Sequence, residues 1–473
     1  MKKFISLPYI YPICPLNINH SRMFIVGDII ERYSRMKKEA VFFPVASHYS
    51  GNSAQNISET FKKFFLSNQT TEEEKKIFSL YKNIYNVPSI VLKTFTNPLN
   101  ILNFFNQEIL WELKSLNVSA DYEYSYTTEN KDFSIFINTI ISLYEKNKLL
   151  IYNKNKELAL NYDNSEWRRK TFNLLEKTEI LQPFHKNNII SATKYLRSDW
   201  GLLRETGFGV RYNKKWVIDP MFDSELLSLF DLYIRFKAEY KNKSISTKNF
   251  FENLFEILKN PKRTNDALVS KIIEWLPCDI FICEEHLKIW LVKKIFAESL
   301  LLNEKYQTKK YFILGTGLLN GKRMSASRGN AILTSDLINK YGPTKARLII
   351  ILQGGHPSKT YEYNQSLSIE VDRLIANFTN YFTYLLSLAN KKINIENAED
   401  LPINTICDSI EKNINNGHYR QAVIELLSTV PQKYKIRTTK SARSLIFLFK
   451  RYLDILLPGL LEPFAKETGK FKL

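Results

Sequence analysis

The first 45 residues constrain the fold more than any other stretch. Residues 3–7, KFISL, read as a short buried strand. A loop broken by Pro8 and Pro12 follows. Met23, Val26, Ile30, Tyr33 and Met36 then recur at steps of three and four, so an amphipathic helix begins near Asn19 or His20. AVFFPV (40–45) reads as a second buried strand. Strand, loop, helix and strand inside so short a segment form a βαβ unit, which demands a parallel sheet. Such sheets place ligands outside the carboxyl ends of their strands.

Further along, 56–115 and 130–150 look helical, while 151–215 shows no strong period. WVIDPMF (216–222) and CDIFIC (278–283) read as strands, with helical runs around 223–240 and 248–276. Residues 309–330 read as strand, turn and a glycine-bounded polar loop. From Ser366 onward the pattern is helical, with Val371, Leu374, Ile375, Phe378, Phe382 and Leu385 on one stripe. The expected fold is α/β: a Rossmann-like parallel-sheet domain split by a helical insertion, then a C-terminal α-helical bundle.

A chain of 473 residues suggests about three domains. Its net charge of +19 favours an anionic partner, nucleic acid first. A Lys-, Asn- and Ile-rich composition would give the same sum with no such partner. The four cysteines, Cys14, Cys278, Cys283 and Cys407, form no CxxC pair, so neither structural zinc nor a disulfide framework is expected. No apolar run reaches the length of a membrane span or a signal h-region, so a cytoplasmic protein is expected.

Two distant stretches carry chemistry. In YPICPLNINHSRMF (11–24), a tight loop opens a helix, and helix N-termini present backbone N–H groups suited to phosphate. His20 stands at that end, where it donates to a phosphoryl oxygen or simply caps the helix. GKRMSASRGN (321–330) combines Lys322, Arg323 and Arg328 with serines between glycines. It is suited to closing over a triphosphate, or is a basic surface turn.

Together these stretches resemble the paired signatures of class I aminoacyl-tRNA synthetases. Asn17-Ile18-Asn19-His20 falls on the HxGH motif, and Arg323-Met324-Ser325-Ala326-Ser327 on the KMSKS loop. Residues 20–55, 85–128 and 199–226 resemble leucyl-tRNA synthetases of the archaeal and eukaryotic branch. CEEHLKIWL (283–291) resembles their ribose-and-adenine segment, and ILLPGLLEPF (455–464) the end of their anticodon-binding bundle.

The resemblance implies ATP-dependent activation of leucine or a similar amino acid and its transfer to tRNA, by a monomer, with Mg2+ accompanying ATP. It assigns catalysis to His20, Arg323, Ser325 and Ser327. ATP contacts fall to Asn17, Asn19, His20, Cys283, Glu285, His286, Lys322, Met324 and Arg328, with Arg22 beside His20 on the phosphate-facing half. Amino-acid contacts fall to Tyr11, His48, Gly51, Asp223 and Ser224, the last two having a helix cap as their bland alternative. It implies a catalytic domain at 1–56 and 196–360, an insertion at 57–195 and a truncated bundle at 361–473. The family's editing domain is missing, because 149–167 crosses its position with about ten residues, too few to fold.

The departures are chemical. Asn19 adds a side chain where the family's glycine lets adenine approach backbone, and Asn17 replaces a histidine. Cys283 also stands where glycine is expected. Ala326 removes a KMSKS cation, a loss worth about 3 kcal/mol or ~10²-fold in rate. Alternatives are adenylation for a non-tRNA acceptor, or a non-catalytic tRNA-binding protein.

Overall fold

The computed structural model describes residues 2–67, 70–213, 215–240, 246–262, 264–391 and 401–469. Along the chain, the elements that matter are β1 (Lys2–Ser6), α1 (Ile18–Met36), β2 (Ala40–Phe42), β3 (Glu179–Ile180), α2 (Pro183–Tyr195), α3 (Leu227–Lys237), β4 (Ile280–Glu284) and α4 (Lys288–Leu301). They continue as β5 (Lys310–Leu314), β6 (Gly317–Leu319), β7 (Lys322–Arg323), α5 (Pro343–Leu352), β8 (Tyr361–Glu362), α6 (Leu367–Ala389) and α7 (Thr439–Leu456). The chain forms two compact units. The first holds Met1–Pro15, Glu39–Leu110 and Ala120–Ile313; the second holds Leu16–Lys38, Trp111–Ser119 and Leu314–Leu473.

The first unit carries a five-stranded sheet in the order β2-β1-β4-β5-β3. The pairings β1–β2, β1–β4 and β5–β3 are parallel, as the βαβ reading requires. β2 stops at Phe42, earlier than expected, because Pro44 supplies no N–H to a ladder. A large apolar core lies here, with Phe133, Phe136, Phe230 and Phe251 in mutual ring contact. Trp167 stacks on Tyr162 and donates its indole N–H to the Phe296 carbonyl at 2.7 Å. The 151–215 region resolves into the hairpin Leu150–Tyr152/Leu158–Leu160, helices Ser165–Lys177 and α2, and a small antiparallel sheet.

The expected strand at 216–222 is only Trp216–Ile218, since Asp219 turns the chain by accepting from the Met221 N–H. The expected helix at 248–276 is two helices, Thr247–Lys259 and Ala267–Trp275. Pro261 interrupts the run, and Asp266 caps the second helix.

In the second unit, α1 begins at Ile18 because Asn17 is extended and its side chain caps the first turn. Asp28, wholly buried on α1, pairs with Arg347 of α5 at 2.5 Å and with Arg32 at 3.0 Å. Asp28 also accepts from the Ser119 N–H, while Arg347 donates to the carbonyls of Leu116 and Leu456. One buried ion pair thereby joins α1, the 111–119 segment, α5 and α7. The sequence-based bundle begins with α6, where Phe378 and Phe382 pack on Phe449 of α7. Its residues 392–400 and 470–473 lie outside the described residues. No helix among the described residues is long and apolar enough to cross a membrane.

Candidate active site

The second unit holds the start of α1 and the basic loop. Asn17 Oδ1 accepts from the N–H groups of Asn19 (2.9 Å) and His20 (3.2 Å). The Ile18 N–H is taken by the Ile332 carbonyl and the Ser21 N–H by the Asn17 carbonyl. All four backbone donors of the first turn are therefore occupied, which corrects the expectation of an open phosphate cradle there. The physical cause is Asn17, whose short side chain folds back onto the helix it starts.

Asn19 is also turned inward. Its Oδ1 accepts from the Gly317 N–H at 3.1 Å and from the Tyr361 hydroxyl at 2.9 Å, latching α1 to β6 and β8. The fit is close, because a Cβ on Gly317 would sit 2.3 Å from Asn19 Oδ1. Arg22 does not face outward as expected. It is 3% exposed, lies over the Tyr361 ring at 4.5 Å and donates to the Gln353 carbonyl. His20 is half-buried at the helix start.

The loop is built on a two-residue hairpin. Leu319 pairs with Lys322 across Asn320 and Gly321, both at positive φ (53° and 70°), as a type I′ turn needs. A bridge between Ser325 and Asn330 and a turn at Ala326–Arg328 follow, with Gly329 left-handed. Lys322, Arg323, Ser327 and Arg328 are exposed, and the Ser325 and Ser327 hydroxyls lie 3.1 Å apart. Met324 is buried beneath Gly317 and Ala326 is 4% exposed, so both support the loop from inside. The cationic side chains and the two serines share one short turn; the methyl of Ala326 is part of its packing.

The first unit holds a separate polar cluster. Asp223, 1% exposed, accepts from His48 Nε2 at 2.7 Å and from the Ser50 hydroxyl at 2.8 Å. The His48 loop is pinned by its own backbone: His48 N–H bonds the Ile10 carbonyl, and Gly51 and Phe208 exchange both bonds. Gly51 has φ +99°, a conformation that favours glycine, and its α-carbon faces the Tyr11 hydroxyl. Tyr11 in turn accepts from the Ala54 N–H. Ser224 caps no helix; it donates to the Pro220 carbonyl and accepts from Trp290 of α4. Asp223 likewise is no cap, since α3 starts at Leu227 without a side-chain cap.

Beside this cluster is a group that the sequence did not point to. Tyr9 and Tyr126 bond each other and both reach the buried Asp231 carboxyl. Burial holds Asp231 well above the usual carboxylate range. Glu225, two residues from Asp223, is pushed up to about 8 by burial while accepting from Tyr144 and Tyr162. An isolated tyrosine or acid in a loop gives no sequence signal for such a pairing. Of the ribose-and-adenine segment, Cys283 is fully enclosed in the core, and burial pushes its thiol up; its side chain offers no surface to a nucleotide. His286 pairs with Glu284 at 3.1 Å, and Glu285 lies half-exposed between them. All four cysteines are free thiols. Among the described residues no group of three or more His, Cys, Asp or Glu is placed to hold a metal ion.

The chain matches known proteins in two ways. It is 31% identical over 136 residues to leucine–tRNA ligase 2 of Sulfolobus acidocaldarius, covering 29% of this chain and 14% of that ligase. A leucine–tRNA ligase of Methanopyrus kandleri is 31% identical over 134 residues, covering 28% of this chain and 13% of the ligase. The match therefore spans a small part of these relatives' length. In solved structures, methionyl-tRNA synthetase of Mycobacterium tuberculosis in complex with methionyl-adenylate superposes with a TM-score of 0.65. It covers 99% of this chain and 96% of the other at 12% identity, a likeness of fold. No protein-family profile matches. The fold is thus like that of the methionyl-tRNA synthetase on which the chain superposes. Its sequence similarity is to archaeal leucine–tRNA ligases, over less than a third of its length.

Proposed function

We propose that this chain recognises a leucine-like amino acid and activates it with ATP, slowly, for transfer to tRNA. The observation that carries the reading is the His48–Asp223–Ser50 cluster. A buried carboxylate already held by two donors is a preorganised partner for an α-ammonium group. Lys322, Arg323 and Arg328 would take the phosphates, with Ser325 and Ser327 lining the loop and His20 donating from the helix start. Glu285 and His286 would meet the ribose. In the reaction, an amino-acid carboxylate oxygen attacks the α-phosphorus and the bond to pyrophosphate breaks. Mg2+ would come bound to those phosphates and screen the leaving charge. Residues 57–195 form the connective insertion in this reading, without an editing domain.

The closed first turn of α1 favours a second reading, a protein that binds amino acid or tRNA without chemistry. ATP–pyrophosphate exchange across the amino acids separates them. Weak exchange with one aliphatic amino acid, raised by Ala326→Lys, supports activation. Amino-acid binding with no exchange in either protein supports the second reading. Exchange without tRNA acylation would assign another acceptor.

A further inference from the structure

The first unit contains a cavity of about 680 Å³ that shares no residue with either polar cluster. It is walled by the last turns of α2, the loop 196–201 and the first turn of α4, through Tyr195, Arg197, Trp200 and Lys288 among others. Its volume falls within the ~300–1,000 Å³ of small-ligand sites. Its chemistry is unusual for a surface cleft. Tyr195 is 77% exposed and Trp200 49% exposed, two large rings held open to solvent. Arg197 and Lys288 are exposed at the same wall; Arg197 is positioned by the Lys194 and Leu196 carbonyls with Asp163 at 3.8 Å, and the one lining carboxylate, Asp199, is paired with Lys154.

Trp200 is held from behind. The ammonium of Lys293 is fully buried, 4.7 Å from the indole centre and 3.8 Å from the Phe222 ring. That contact anchors one side of the indole by a cation–π interaction while half of the side chain remains exposed. An anchored, open aromatic ring beside exposed cations suits a flat base carrying a phosphate.

We propose that this cavity binds unpaired nucleotides of a single RNA strand, with bases stacked on Trp200 and Tyr195 and phosphates near Arg197 and Lys288. Stacking on open rings tolerates any base, and the cations follow the backbone. A strand suits the cavity better than a free nucleotide because both rings are open and the backbone can leave into solvent. The surplus of cations over a chain of net charge +19 adds attraction at long range. The inference uses the proposed function only in choosing RNA as the strand.

The test is fluorescence anisotropy of a short labelled single-stranded RNA with the full chain, in the absence of ATP and amino acid. Trp200→Ala should weaken binding by roughly 5- to 150-fold, the loss of one base stack. Trp200→Phe should keep most of it. Arg197→Ala should weaken all sequences alike and flatten the salt dependence. Ser191→Trp, on an exposed helix position lining the cavity, should block binding without touching the Trp200–Lys293 contact. Unchanged affinity in both Trp200→Ala and Ser191→Trp overturns the proposal. So does competition by AMP at the concentration of the strand itself, which would mark a free-nucleotide site. Exchange activity should be the same in Trp200→Ala and wild type, so failure here and failure of amino-acid activation are read separately.

Discussion

Asn19→Gly tests whether the family letter would reopen the start of α1. The asparagine oxygen is the acceptor for two buried donors, the Gly317 N–H and the Tyr361 hydroxyl. Each donor left without a partner costs about 1–2 kcal/mol. A glycine in the helix adds about 0.5–1 kcal/mol of backbone entropy. The sum is about 2.5–5 kcal/mol, which for a unit of this size lowers Tm by roughly 5–20 °C. Scanning calorimetry measures that cost, and ATP–pyrophosphate exchange measures what the vacated space admits. The expected result is a less stable protein with faster exchange. Tyr361→Phe is the control: it removes one donor, keeps the ring under Arg22, and should cost about 1 kcal/mol with exchange unchanged. If Asn19→Gly melts at the wild-type temperature, the latch contributes nothing. If it melts lower while exchange stays flat, Asn19 holds the fold without obstructing a nucleotide.

Three further outcomes follow from other parts of the molecule. Asp223→Asn removes the charge that His48 and Ser50 hold, about 1.5–3 kcal/mol, so KM for the amino acid in exchange should rise roughly 10- to 150-fold. Asp28→Ala leaves the Arg347 guanidinium buried and unpaired, so thermal unfolding should show a loss of about 3–5 kcal/mol; Asp28→Leu combined with Arg347→Met should recover much of it. Glu225 titrates near 8 when folded against 4.5 for the ordinary group, so the native state holds the extra proton between those values. Stability from this group is fullest below about pH 4.5 and is lost as pH rises through about 8. Urea denaturation of Glu225→Gln should therefore gain on wild type by about 5 kcal/mol across that window; parallel curves would show that Glu225 is ionised in the fold.

What the sequence showed of the fold depends on how local each signal is. The β1–α1–β2 unit and the C-terminal helices were legible because their apolar periods run within one segment. The 151–215 region was not, since strands such as Leu203–Arg204 and Arg211–Tyr212 are too short to carry a period. Only pairing with Trp216–Ile218 defines them. The Asp28–Arg347 pair joins positions 319 residues apart and leaves no pattern near either.

The site residues were legible as letters, and their directions were not. Asparagine before a helix is a common cap, and the same letter on a motif position reads as a ligand contact; here the Asn17 oxygen goes to the helix itself. Arg22 and Met324 turn inward in the same way, and Ala326 packs beneath the loop, where the sequence showed only a missing cation. These departures share one physical character. Asn17 and Asn19 each satisfy, from within the second unit, polar groups that an unsubstituted turn would leave for a ligand. In the first unit, by contrast, the Asp223 carboxylate accepts from the side chains of His48 and Ser50 and caps no element of its own backbone. A protein altered this way should bind its amino acid with ordinary affinity and pay in the rate of activation. That split, a normal KM with a depressed kcat, is the signature that distinguishes a self-capped phosphate side from a site that has simply decayed, where both would fail together.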